Sequence, residues 1–318
     1  MKNLFFITHY SNKFGLGHLK RCINIGDYFP RVKKFYFNIA KNNKKKLINF
    51  TVSSKYQIKE LNKKNNINII DLMPKEYFKN LNLFKFLDKN QTFVINNGFK
   101  KKIQFDNTIY PYVKNKKIKS KYTGEKFFVI NKKILKIQKQ KIIKKKKILI
   151  CMGGSDPDHL TEKVLSIFSK IQKNFKINVI IGPFFAKKRI NFIKKYNKNN
   201  KNLKFYFNPK KLYKIISESK LAIVNSGNIK YECIFLNTPI ILLANKNDED
   251  VCYYFSRKFK TLNKNFIYNR GEFYKILNKL NIVSINSNLI KFENKKINLD
   301  NFNKTVKLIN KKLNAKSQ

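Results

Sequence analysis

Short apolar and β-branched runs alternate along this chain with stretches in which apolar positions return every three or four residues, the pattern of parallel α/β units. In the first half, the runs at 4–8, 34–38, 67–70 and 92–96, with shorter ones near 108–110 and 127–130, predict strands, and the periodic stretch 19–29 predicts a helix. The second half repeats the logic with sharper edges. Strands are predicted at 148–152, 178–181, 204–207, 221–225 and 240–244, and helices near 158–172, 186–196, 210–217, 229–236 and 250–259. The fold class that follows is α/β, with two Rossmann-type doubly wound parallel sheets, one domain over 1–145 and a second over 146–318. The lysine-rich stretch 136–147 reads as the linker, and a last helical pattern, 301–313, is expected to return to the first domain.

Length and composition agree with two cores: 318 residues at 42% hydrophobic content exceed what one small core needs. No apolar run approaches bilayer-spanning length, and Met1 leads directly into the first predicted strand, so a cytoplasmic location is expected. Cys22, Cys151, Cys233 and Cys252 are widely spaced, lie in or beside apolar segments, and read as reduced, buried thiols. The histidines, His9, His18 and His159, offer no pair at ligand spacing, so neither a metal site nor a cofactor is predicted.

A formal net charge of +52 raises nucleic acid and anionic membranes as partners. The lysines are nevertheless spread along the whole chain beside abundant Asn, Ile, Phe and Tyr, as codon bias in an AT-rich genome produces, and no nucleic-acid signature with interleaved aromatics is present. Binding to a specific nucleic acid is therefore not expected. A basic field still attracts nucleoside diphosphates, and peripheral contact with an anionic membrane is compatible with it.

Three turns carry the candidate chemistry. Gly15-Leu16-Gly17-His18 lies between the first predicted strand and helix, where a glycine turn lets a substrate approach bare backbone and the helix start holds one imidazole at its positively polarised end. A plain strand-to-helix turn is the alternative. Gly153-Gly154-Ser155-Asp156-Pro157 follows the strand at 148–152; Ser155 or Asp156 can cap the next helix while the glycines turn amides toward an anion such as a diphosphate. Asn225-Ser226-Gly227-Asn228 opens a further helix that carries Glu232, whose two carboxylate oxygens suit both hydroxyls of a ribose. The alternatives here are an ordinary capped turn and a surface glutamate.

Taken together, Gly15-Leu16-Gly17-His18 with Arg21-Cys22, Ile150-Cys151-Met152-Gly153-Gly154-Ser155-Asp156, Val179-Ile180-Ile181-Gly182-Pro183, and Ser226-Gly227 with Glu232 and Pro239 resemble, in that order, the UDP-sugar hydrolases of pseudaminic acid biosynthesis. That family is related to spore-coat polysaccharide proteins and to MurG-like glycosyltransferases. The resemblance implies a GT-B architecture, two Rossmann-type domains with the active site in the interdomain cleft. It implies His18 as the base that activates water against an anomeric carbon, with Gly15, Gly17 and Arg21 beside the substrate. Gly153, Gly154, Ser155, Gly182, Ser226, Gly227, Asn228 and Glu232 would then line the nucleotide. A base must be neutral, and a helix start disfavours imidazolium, which fits that role. Four positions depart from the family pattern: Ile7 and His9 stand where an arginine and an aspartate are usual, and Asn96 and Asn97 where an acidic pair is usual.

The leading expectation is a hydrolase that releases UDP from a UDP-linked deoxy amino sugar in surface-glycan synthesis. The alternatives are a GT-B glycosyltransferase with a UDP-amino-sugar donor and a non-catalytic nucleotide-sugar binder.

Overall fold

Strand β1 (Asn3–Thr8) shows why the strands of this chain read as unbroken apolar runs: Leu4 and Phe6 enter one buried cluster, Phe5 and Ile7 another, on opposite faces of the sheet. A parallel sheet covered on both faces requires that pattern. The computed structural model describes residues 2–11, 15–39, 66–99, 103–113, 118–143, 145–170, 176–196, 200–244, 248–259, 261–265, 271–272, 274–275 and 299–315. The chain divides into two units, Met1–Lys132 with Asp300–Gln318, and Lys133–Leu299.

In the first unit β1 is followed by α1 (Gly17–Gly26), β2 (Lys34–Asn38), β3 (Asn66–Asp71), α2 (Pro74–Lys79), α3 (Leu81–Phe84), β4 (Thr92–Ile95), β5 (Thr108–Tyr110) and β6 (Tyr122–Thr123). The strands form one parallel sheet in the order β2-β1-β3-β4-β5-β6. The chain goes out from β1 to β2 and returns on the other side of β1, so the order reverses between β1 and β3. Ligands of doubly wound sheets bind outside the carboxyl ends of the strands at such a reversal.

The second unit runs α4 (Lys132–Gln138), β7 (Lys145–Cys151), α5 (Leu160–Phe168), β8 (Lys176–Ile181), α6 (Lys187–Tyr196), β9 (Leu203–Phe207), α7 (Leu212–Glu218), β10 (Ser219–Asn225), α8 (Ile229–Phe235), β11 (Ile240–Ala244), α9 (Glu249–Phe259) and β12 (Leu262–Asn265). Its parallel sheet has the order β12-β11-β10-β7-β8-β9, and the reversal falls between β7 and β10. The last helix, α10 (Lys304–Asn314), belongs to the first unit, where Ile309 is buried with Leu4, Ile67 and Phe93.

Four sequence-based expectations need correction. The run 127–130 is not a strand: a 3₁₀ turn over Glu125–Phe127 precedes it, and its backbone is satisfied outside any ladder. Ile130 N–H donates to Asn303 Oδ1 at 2.8 Å, Thr305 Oγ1 to Phe127 O at 2.6 Å, and Tyr28 OH to Ile130 O at 2.7 Å. Those bonds tie the run to the start of α10, and side-chain partners of this kind leave no trace in apolar patterning. The stretch 136–147 is not a simple linker either. Helix α4 covers its start, with Ile134 buried and Gln138 Nε2 donating to Phe235 O at 3.0 Å, while β7 begins within it at Lys145; residue 144 lies outside the described residues. The boundary between units accordingly falls after Lys132, and residues 300–318 return to the first unit. Helix α5 starts at Leu160 rather than 158 because Asp156 and His159 take left-handed backbone before it, and residues 171–172 of its predicted span are outside the described residues. Helices α2 and α3 and strand β12 arise where the pattern predicted nothing.

Candidate active site

The carboxyl ends of β1, β3, β4 and β5, with the start of α1, bring six polar side chains together at the reversal of the first sheet: His9, His18, Arg21, Asp71, Asn97 and Tyr112. Thr8 and Asp71 are register partners, so His9 leaves β1 beside the acid that ends β3. Across the turn, Gly15 closes back on Ser11 through a 2.8 Å N–H···O bond at φ +68°, a conformation that glycine adopts without strain, and Gly17 opens α1. One helical residue later His18 turns toward β3, and Arg21, one turn on, lies over the same strand end.

Asp71 is the hub. It is fully buried and accepts from His18 Nδ1 at 2.7 Å, from Asn97 Nδ2 at 3.0 Å and from Arg21 through both Nε (2.6 Å) and Nη2. Arg21 also donates to Asn97 Oδ1 at 2.8 Å and to the Tyr112 hydroxyl. Burial opposes a charge on Asp71, yet the Arg21 guanidinium and then His18 outweigh it and hold the carboxyl well below the usual carboxylate range. Burial likewise opposes the charge on Arg21, and Asp71 and Tyr112 more than compensate, so the guanidinium stays protonated.

A carboxylate only accepts, so in the neutral ring the 2.7 Å contact with Asp71 places the hydrogen on Nδ1, over the longer approaches of Arg21 Nη2 at 3.3 Å and Asn97 Nδ2 at 3.5 Å, and Nε2 is then the atom with a lone pair. No hydrogen bond occupies Nε2 among the described residues, and the side chain is 12% exposed. This is the geometry of a histidine base oriented by an acid. The carboxylate at the end of β3 orients the ring, a partner that the sequence did not indicate.

His9 is completely buried, its ring 4.4 Å from that of His18. Burial, then the neighbouring His18 and Arg21, push its pKa down to about 3 against a smaller opposing pull from Asp71. The unfolded chain binds a proton at this position below about pH 6.5, whereas the folded chain does so only near 3, so folding stability falls as pH drops through that window. The expected slope from this residue is up to about 1.4 kcal/mol per pH unit. Urea midpoints at pH 7 and pH 5 measure it, and His9→Phe should flatten the difference; an unchanged slope in that variant removes His9 as its source. Asp71 adds no slope between pH 7 and pH 5, because its carboxyl is ionised there in the folded and the unfolded chain alike.

Arg21, expected beside the substrate, is 4% exposed and committed to Asp71, Asn97 and Tyr112. The four departures are also explained: Ile7 is core, His9 packs on His18, Asn96 takes the amides of Gly98 and Phe99 at 3.0 and 2.8 Å, and Asn97 joins the network. Asp71 and Tyr112 were missed by sequence reading. An aspartate that closes a predicted strand was the available signal for the first, and nothing marked the second.

In the second unit the loops at 153–156 and 225–228 meet at the reversal between β7 and β10, where Asn225 Nδ2 donates to Met152 O at 2.8 Å. Gly182 belongs to the same place by packing: a Cβ there would lie 2.3 Å from Gly154 O and 2.6 Å from Gly153 O. Asp156 caps α5, taking the amides of Leu160 and Thr161 at 2.9 Å each, so that helix end is already filled by a carboxylate and any anion is left to the loop amides. Arg189 holds this loop from α6, donating to Ser155 O at 3.1 Å and Asp156 O at 2.8 Å while pairing with Glu162. Ser155 is buried, whereas Ser226, Gly227 and Asn228 keep exposed surface. Glu232 is largely buried and accepts from Tyr213 OH at 3.2 Å, which turns one of its oxygens inward. His159 is exposed at the start of α5.

All four cysteines are buried free thiols. Among the described residues no helix is long and apolar enough to cross a membrane, and no group of His, Cys, Asp and Glu is arranged to hold a metal ion.

Two doubly wound parallel sheets with polar clusters at their strand-order reversals define a two-domain α/β protein of the GT-B-like class. Solved structures of that class resemble it over nearly its whole length. UDP-GlcNAc 2-epimerase of Methanocaldococcus jannaschii, in complex with UDP-GlcNAc and UDP, gives a TM-score of 0.52 at 12% identity, over 98% of this chain and 100% of that one. WaaG, a glycosyltransferase involved in lipopolysaccharide biosynthesis, gives 0.51 at 10% identity, over 99% of this chain and 96% of that one. The chain belongs to the lipid-A-disaccharide synthetase family, which residues 108–316 match. An uncharacterised protein of Methanocaldococcus jannaschii is 31% identical over 139 residues, 42% of this chain and 28% of that longer protein.

Proposed function

We propose that this protein is a glycosyltransferase of the GT-B type that uses a UDP-linked sugar as donor, with His18 as the base that activates the acceptor hydroxyl. The observation that carries this is the His18–Asp71 pair: Nδ1 is bound to a buried carboxylate at 2.7 Å and Nε2 is left able to accept a proton. In the proposed step the acceptor O–H gives its proton to Nε2 and its oxygen attacks the anomeric carbon. The bond from that carbon to the β-phosphate oxygen breaks, and UDP leaves with the electron pair. In the second unit, taken by itself, the loops at 153–155 and 226–228 carry amides suited to a diphosphate, and Glu232 carries a carboxylate suited to a ribose. The family's description as a disaccharide synthetase favours a sugar acceptor, and the UDP-GlcNAc and UDP bound by the epimerase favour a uridine diphosphate donor.

Hydrolysis is the second reading, favoured by the Gly15-Leu16-Gly17-His18 motif with Arg21-Cys22 and its resemblance to the UDP-sugar hydrolases of pseudaminic acid biosynthesis. Water then takes the acceptor's place at the same base. Incubation with UDP-linked amino sugars, with and without saccharide or lipid-linked saccharide acceptors, separates the two. UDP release that depends on an added acceptor is the expected result, release in buffer alone supports hydrolysis, and no release under either condition overturns an enzymatic role.

A further inference from the structure

His18 meets two opposite charges at one atom. Asp71 Oδ1 lies 2.7 Å from its Nδ1, and Nη2 of Arg21 lies 3.3 Å from the same nitrogen. Water screens neither charge, because Asp71 and Arg21 are both buried. A carboxylate this close, standing alone, would draw a second proton onto the ring and leave an imidazolium, which has no lone pair for an acceptor hydroxyl. An acid that orients a base can therefore also disable it.

Arg21 is placed to prevent that. Its guanidinium takes the Asp71 carboxylate with both prongs, Nε donating to Oδ2 at 2.6 Å and Nη2 to Oδ1, a bidentate arrangement that lysine cannot make. The second hydrogen of Nη2 goes to Asn97 Oδ1 at 2.8 Å, and Nη1 donates to the Tyr112 hydroxyl. With both hydrogens engaged, Nη2 acts on Nδ1 as a positive charge through space rather than as a donor. Attraction by the carboxylate and repulsion by the guanidinium fall off alike with distance, so at 2.7 and 3.3 Å they are of the same order. The remaining neighbours add no charge. On β1, burial pushes the pKa of His9 down to about 3; on α1 and beyond β5, burial raises the Cys22 thiol and the Tyr112 phenol; Asn97, after β4, is an amide.

We infer that Arg21 is the positioning residue of the base: by offsetting the charge of Asp71 it lets a buried carboxylate orient His18 without charging it. This deepens the reading of His18 as the base and rests on it. The carboxylate supplies direction, the guanidinium cancels its field, and Asn97 and Tyr112 fix the guanidinium in place.

The test is a pH titration of the His18 ring by nitrogen NMR of the full-length protein, in the wild type and in Arg21→Met and Arg21→Lys, with His18→Ala assigning the signal. Arg21→Met removes the charge, and its ring should take up the second proton at least about one pH unit higher than in the wild type. Arg21→Lys restores the charge without the fork. Its midpoint should lie within about half a unit of wild type, while kcat falls about tenfold or more from lost alignment. The acid limb of the kcat/KM profile should move with the ring. A merely structural role lowers kcat/KM equally at every pH and leaves the midpoint unmoved, and an unmoved midpoint in Arg21→Met overturns the inference. So does a wild-type ring still charged at about pH 8, a result that needs no variant. Should the methionine variant not fold, Arg21→Gln, uncharged but able to donate to Asp71, decides by the same midpoint. A midpoint that moves while the acid limb stays overturns instead the reading of His18 as the base.

Discussion

Replacing Asp71 by asparagine is expected to lower turnover about 10³- to 10⁴-fold and to destabilise the first unit by about 3–5 kcal/mol. Both effects come from one buried carboxylate. An amide in its place offers one acceptor oxygen where two now receive His18, Asn97 and the fork of Arg21. If the new NH₂ group faces His18, it donates to Nδ1 and moves the ring hydrogen to Nε2, the atom that must accept a proton. If it faces Arg21, donor meets donor and a buried guanidinium loses its counter-charge. Single-turnover UDP release and urea unfolding measure the two losses. Turnover within a few-fold of wild type would mean that the ring needs no acid to orient it, and the base assignment would then lose its main support.

His18→Ala should separate chemistry from architecture. Loss of the base predicts a fall in turnover of about 10²- to 10⁴-fold. Stability should change little, because the side chain lies at the margin of the core and Asp71 keeps both Arg21 and Asn97 when the imidazole is gone. UDP affinity should also be kept, since the loops proposed to hold UDP belong to the other unit. Measured together, the pair of variants gives a double test: Asp71→Asn is expected to lose both rate and stability, His18→Ala rate alone. A His18→Ala protein with unchanged rate would exclude this imidazole as the base, whatever the state of Asp71.

The periodic signals that were legible are those set by local chemistry. Strands β2, β5 and β11 begin and end where the runs at 34–38, 108–110 and 240–244 do; β5 and β11 are buried at every position, while the half-buried edge strand β2 carries its three aromatics between polar ends. The run 127–130 has the same composition and a different fate, since its hydrogen bonds go to Asn303, Thr305 and Tyr28. Composition records burial; it does not record which groups satisfy the backbone. Strand β12 illustrates the converse, a strand of Leu262, Asn263, Lys264 and Asn265 placed by pairing with β11 rather than by apolar character.

The candidate site divides along the same line. Gly15, Gly17 and His18 announce themselves because a glycine turn and a helix start are local events, and the loops at 153–156 and 225–228 do so for the same reason. Asp71 stands 53 positions from His18, Asn97 stands 76 from Arg21, and Tyr112 stands 91 from it, so only the order of strands in the sheet makes them neighbours. Lys230 is the hardest case: on the sequence it is one lysine among many in a chain of net charge +52, and only the structure shows it buried, with its ammonium donating to the carbonyl oxygen of Ser226.

By itself, then, the order of residues settled that this chain builds two doubly wound α/β units and where their glycine turns fall, because strand burial and turn conformation depend on a few consecutive residues. The tertiary structure alone decided which distant side chains share a strand end, and with that the partner of His18 and the burial of Arg21 and Lys230. Parallel strands pair through long crossovers, so residues far apart in sequence meet at carboxyl ends that no local pattern can connect.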